Sequence, residues 1–171
     1  MYADMDSIFA SQNSIAAAAI PLWSLENVVI LGGGRPTPLS PAPDQVLYIT
    51  DANPVVVSEA EKARYETMVV DVNSIEHLRQ LQGATTAIAT GLFHFLEDEQ
   101  VKALLSRLSE TGIHTMVFNN VDPVAGAELM DQWNKLGNQM YARTLDELPT
   151  VLSEGWERVH ACPCAEFIIH I

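Results

Sequence analysis

Short unbroken apolar runs recur along the chain, separated by segments with helical spacing. The runs at 28–31, 46–50, 67–70 and 113–118 are rich in Val, Ile, Leu and Met, and a fifth at 84–90 is built of Ala and Thr around Ile88. Such runs read as strands buried on both faces of a parallel sheet. The clearest helix spans 97–111, where Val101, Leu104, Leu105 and Leu108 fall at i, i+3, i+4 and i+7. Acids fill its first turn, and Gly112 ends it. Asn53 followed by Pro54 predicts a helix running to Tyr65, and Asn73 or Ser74 caps another through Gln82, closed by Gly83. Asp122-Pro123 opens a further helix, with Val124, Ala127, Met130 and Trp133 as its inward stripe and a stop near Gly137.

The ends of the chain are less regular. Residues 1–26 predict a helical lead-in whose Ala-rich part is stopped by Pro21. Thr144-Leu-Asp-Glu147 has the spacing of a capping box, with Pro149 forcing a break or a short 3₁₀ turn soon after. Segments 156–161 and 166–171 predict an antiparallel hairpin joined through Cys162-Pro163-Cys164. Five strands alternating with helices imply an α/β domain with a doubly wound, mostly parallel sheet. The link at 35–45 breaks the rule. Pro36, Pro38, Pro41 and Pro43 leave the first crossover helix short or absent.

Bulk properties narrow this picture. A chain of 171 residues, 48% of them hydrophobic, is expected to fold as a single domain over 1–171. A net charge of −13 argues against a nucleic-acid or anionic-membrane partner, since either would need a basic face. The apolar patch at 15–23 lacks a basic flank and is too short to span a bilayer. Cys162 and Cys164 lie too close in sequence to pair readily, which points to a reducing, cytoplasmic setting. A homo-oligomer is compatible with these numbers.

The candidate chemistry gathers where strands end. Gly32-Gly-Gly34 follows the first strand, and glycines there let a backbone approach a ligand. Asp51 ends the second strand and Asp71 the third; each either binds a ligand or caps the helix that follows. A dinucleotide is disfavoured because Thr37 stands where a third glycine belongs and the prolines remove the helix a pyrophosphate needs. His160, Cys162, Cys164 and Glu166 alternate like metal ligands, but Pro163 argues for a turn among them, and no metal is expected. Arg35 pairs either with a ligand carboxylate or, more simply, with a surface acid.

At these residues the chain resembles the class I S-adenosylmethionine-dependent methyltransferases, from about Val28 to the C-terminus. Val28-Val-Ile-Leu-Gly-Gly-Gly34 stands at the glycine-rich first motif, Tyr48-Ile-Thr-Asp51-Ala-Asn-Pro54 at the second, and Val69-Val-Asp71-Val72 at the third. Ala87-Ile-Ala-Thr-Gly-Leu-Phe-His-Phe-Leu-Glu-Asp98 is similar to the fourth-strand motif. Gly155-Trp-Glu-Arg-Val159 and Glu166-Phe-Ile-Ile-His170 look like the closing strands, one of which the family adds antiparallel. The resemblance implies S-adenosylmethionine as cofactor and methyl transfer to a small-molecule acceptor. Gly32, Gly33 and Gly34 would hold the methionyl end, Asp51 and Ala52 the ribose, Asp71 and Val72 the adenine. Thr90 and Gly91 would line the floor, with His94 the candidate general base. The chain departs from the family in its three consecutive glycines, the prolines behind them, and Thr90-Gly91 where an acid or polar group is common. Those departures suit a divergent or degenerate member, so the alternative is a non-catalytic methyltransferase-like binding or assembly partner.

Overall fold

The apolar run at 28–30 becomes β1 (Val28–Ile30), with every residue buried, and the sheet extends from it on both sides. The computed structural model describes residues 26–32, 46–62, 65–89, 91–152, 154–156, 161–164 and 167–170. The expected lead-in helix and the proline link lie outside them. The remaining elements are β2 (Val46–Asp51), α1 (Pro54–Lys62), β3 (Thr67–Val69), α2 (Ile75–Leu78), β4 (Thr86–Ala89), a 3₁₀ turn (Phe93–Phe95), α3 (Asp98–Glu110), β5 (Thr115–Val121), α4 (Ala127–Lys135), α5 (Leu148–Val151), β6 (Ala161–Cys164) and β7 (Phe167–His170). The described strands form one sheet in the order β3-β2-β1-β4-β5-β7-β6. β1 to β5 run parallel, and β7 lies antiparallel to both β5 and β6.

The helical stripe of α3 buries Val101, Leu104, Leu105 and Leu108 completely or nearly so. They join Val29, Ala87, Ala89, Met116 and Phe118, alternate positions of β1, β4 and β5, in the main core. A reciprocal capping box between Glu97 and Gln100 starts the helix, and Gly112 at φ 92° follows its end.

Four expectations need correction. The helix expected through Gln82 is the single turn α2. Beyond it, Gln80 and Leu81 donate to His77 and Leu78, so the chain tightens to i→i−3 bonds while Leu78 and Leu81 stay buried. β5 runs three residues past Phe118, because β7 pairs with Phe118, Asn119, Asn120 and Val121 in register. Asparagine is a poor strand former, and here the tertiary pairing overrides it.

The first half of the stripe assigned to α4 also fails. The Asp122 carboxylate accepts N–H bonds from Val124 and Ala125 at 2.9 and 2.8 Å, which holds 122–126 as a turn. Val124 is therefore off the helix and 84% exposed, and Ala127 is exposed as well. The second half holds: Met130 and Trp133, joined by Leu129, pack on Val121 and Met140, beside Phe95. Lastly, Cys162-Pro163-Cys164 is not the hairpin connection but the body of β6. β6 is the edge strand, where a missing N–H is tolerated.

Candidate functional site

Register lines up one edge of the sheet. Ile30 lies opposite Ile49 on one side and Ile88 on the other. Two residues further along, Gly32 and Asp51 stand level at the carboxyl ends of β1 and β2. Asp51 in turn lies opposite Val69, so Asp71 is just beyond the neighbouring strand end. Gly33, Gly34 and Thr90 lie outside the described residues; Gly32, Asp51, Ala52, Asp71, Val72 and Gly91 are within them.

Gly32 takes φ 61°, a conformation that disfavours any Cβ. A Cβ there would lie 3.4 Å from both Cβ and Cδ1 of Leu92, so the turn after β4 packs directly over this glycine.

The two acids make the same local structure. Asp51 Oδ1 accepts the N–H of Asn53 at 2.8 Å, and Asp71 Oδ1 accepts that of Asn73 at 2.9 Å. Each is an Asx turn built from Asp-x-Asn. Neither acid caps a helix. Asn53 caps α1 by accepting from Val55, and Ser74 caps α2 by accepting from His77. Both carboxylates thus sit half-buried at the sheet edge, oriented by their own turns. Val72 beside Asp71 is buried, whereas Ala52 is exposed.

The turn 91–96 is held from three directions. Gly91, at φ 91°, donates its N–H to Asn119 Oδ1 at 2.8 Å. The Phe93 ring stacks on Phe118 with centroids 4.0 Å apart. Tyr141 donates its N–H to the His94 carbonyl at 2.7 Å. Arg143 supplies the rest of the anchorage. Its Nη1 donates to the carbonyl of Phe93 (3.1 Å) and to Asn120 Oδ1 (3.2 Å), and its Nη2 to the carbonyl of Leu96 (2.6 Å). Nε pairs with Asp98 Oδ1 at 2.8 Å. Tyr141 Oη donates to Glu97 Oε1 at 2.9 Å, a bond that raises the phenol above its usual range.

His94 does not suit the role of general base. It is 4% exposed, and burial, with Arg143 as the second cause, lowers its pKa from 6.5 to about 3. A base whose conjugate acid is that strong accepts protons poorly at neutral pH. The same shift makes stability depend on pH. Between pH 6.5 and about 3 the unfolded chain protonates this imidazole while the folded chain does not. Stability is therefore fully present above pH 6.5 and falls on acidification, with a slope approaching about 1.4 kcal/mol per pH unit from this residue. Urea titrations of the wild type and His94→Gln should converge as pH drops from about 7.5 to about 4, through the upper part of this window. Parallel curves would show that the ring is not held neutral.

Asn119, Asn120 and Arg143 are absent from the sequence-based site. Asn119 and Asn120 are buried in β5, and Arg143 is 4% exposed. The available signal was slight: two asparagines at the end of an apolar run, and an arginine between Ala142 and Thr144. Among the described residues, no three of His, Cys, Asp and Glu gather as a metal site, and no helix is long and apolar enough to cross a membrane.

No protein-family profile matches the sequence, and no curated protein matches it. Solved structures do resemble the fold. Magnesium protoporphyrin IX methyltransferase from Synechocystis, determined with bound SAH, aligns with a TM-score of 0.70 at 17% identity, covering 97% of this chain and 81% of its own. The mitomycin 7-O-methyltransferase MmcR aligns at 0.71 and 20% identity, over 96% of this chain and 52% of that one. The N,N-8-amino-8-demethyl-D-riboflavin dimethyltransferase from Streptomyces davawensis gives 0.68 and 16%, over 99% and 54%. The chain thus spans about half the length of the latter two. With the strand order above, these likenesses establish a class I methyltransferase-like fold.

Proposed function

We propose that the chain binds S-adenosylmethionine at the carboxyl edge of the sheet and transfers its methyl group to a small-molecule acceptor. One observation carries this reading: the register that sets Gly32, Asp51 and Asp71 along a single edge, with both acids oriented by Asx turns. The residues suit the cofactor. A glycine at positive φ gives close main-chain approach, and a half-buried carboxylate at a strand end suits two vicinal hydroxyls. Val55 and Val69, both exposed, add apolar surface at the same end of β2 and β3. Gly32, with Gly33 and Gly34, would take the methionyl end, Asp51 and Ala52 the ribose, Asp71 and Val72 the adenine, and Thr90 and Gly91 the floor. The cofactor supplies an electrophilic methyl on a sulfonium. The chain's part is to orient it and keep water away, which needs no buried base. The small-molecule acceptor follows the kind of substrate named for the similar folds.

A non-catalytic binding or assembly partner is the second reading. It draws on the Leu92 side chain, which already occupies the close approach to Gly32. Calorimetric titration with S-adenosylmethionine, S-adenosylhomocysteine and NAD separates the two. Saturable binding of the first two is expected, weakened about 10- to 100-fold in Asp51→Ala with the fold intact, the worth of hydrogen bonds to a charged group. No heat from any of them would favour the second reading, and heat from NAD alone would overturn the first.

A further inference from the structure

We propose that Arg143 is a positioning residue for the ligand site, fixing the turn 91–96 that packs over the glycine of β1. This role rests on the ligand-binding reading above and extends it to a side chain distant in sequence from every motif.

The contacts form a continuous path. Arg143 is anchored on β5 by Asn120 and by its own N–H, which donates to the Val121 carbonyl at 3.1 Å. From there its guanidinium grips the carbonyls of Phe93 and Leu96, on either side of His94 and Phe95. Gly91, at the near end of that turn, is tied to Asn119 of the same strand. Between these ties lies Leu92, whose side chain rests on Gly32. A change in the height of the turn is thus passed to the spot where the glycine loop would meet a ligand.

Energetics favour a geometric role over a stabilising one. A cation 4% exposed is costly to bury, and the carboxylate it pairs with, Asp98, has a side chain 59% exposed. A strap packed throughout with apolar side chains, with no carbonyls turned inward to need a donor, would hold as well or better. What apolar side chains lack is a planar fork with donors at fixed angles, able to set two carbonyls and a side-chain amide at once. Lysine keeps the charge and loses the fork.

The test compares wild type, Arg143→Lys and a control, Leu105→Ala, which weakens the buried face of α3 without removing any hydrogen bond to the turn. S-adenosylhomocysteine affinity is measured by calorimetry, and amide hydrogen exchange is followed over 91–96. Arg143→Lys should weaken binding about tenfold or more and speed exchange in the turn by a similar factor. Leu105→Ala should lower the melting temperature and leave the dissociation constant unchanged. If Arg143→Lys does not fold, Asn120→Ala withdraws one anchor, keeps the cation, and should shift both readouts in the same direction. Wild-type affinity in the Arg143→Lys or Asn120→Ala protein, or equal weakening in Leu105→Ala, overturns the positioning role while leaving the ligand reading intact. A wild-type protein that does not bind overturns both.

Discussion

Phe93→Ala will lower stability by about 3–5 kcal/mol, the range for deleting a fully buried aromatic ring. Phe93 has no exposed surface, and its ring lies 4.0 Å from that of Phe118 at an interplanar angle of 19°. The small side chains of Ala87 and Ala89 in the same core offer little that could move in to refill the hole. A domain of this size has only about 5–15 kcal/mol in hand, so the variant should sit near its unfolding threshold at 37 °C. Phe95, two residues on, is the natural comparison. It is half-buried in an edge contact with Trp133 at 5.5 Å, and its alanine variant should cost clearly less. Denaturant midpoints of both variants check the ranking; equal losses would mean that the core under the turn collapses freely.

The second large effect is expected at Arg143. Arg143→Met keeps most of the buried stem and removes every donor. The carbonyls of Phe93 and Leu96 and the Asn120 amide oxygen then lose the guanidinium, at about 1–3 kcal/mol for each acceptor left dry, and about 3 kcal/mol or more in total. Asp98→Asn removes the formal ion pair from the other side. Because that carboxylate is largely in water, the cost should stay below about 1 kcal/mol. Urea unfolding of the two variants decides between them. Comparable losses would mean that the guanidinium is held by its surface pair and not by the turn.

Local patterns reveal some of this molecule and conceal the rest for identifiable reasons. The stripe of α3 was legible because a long amphipathic helix satisfies one periodicity throughout, and Val101, Leu104, Leu105 and Leu108 all turn inward. The stripe of α4 misled because it was counted across a turn. Once Asp122 folds 122–126 back, Val124 no longer shares a face with Met130. The strand-end acids were visible by position. Their orientation was also written locally, as the same Asp-x-Asn step at 51–53 and 71–73, but that becomes a signal only when both turns are seen. The Arg143 network was out of reach, since its partners at Phe93, Leu96, Asp98 and Asn120 lie 23 to 50 residues away. No composition or spacing rule links such positions.

Pro163 carries a consequence for how the molecule behaves in company. Sheet margins are where proteins stick to one another, because unpaired donors and acceptors invite another strand. Among the described strands one margin is β3, three residues long, and the other is β6, four residues with a proline inside. The proline breaks the row of donors, and the short partner at the far side offers little length to pair. Together with a net charge of −13, this makes the described margins poor templates for another copy, which disfavours strand-by-strand growth.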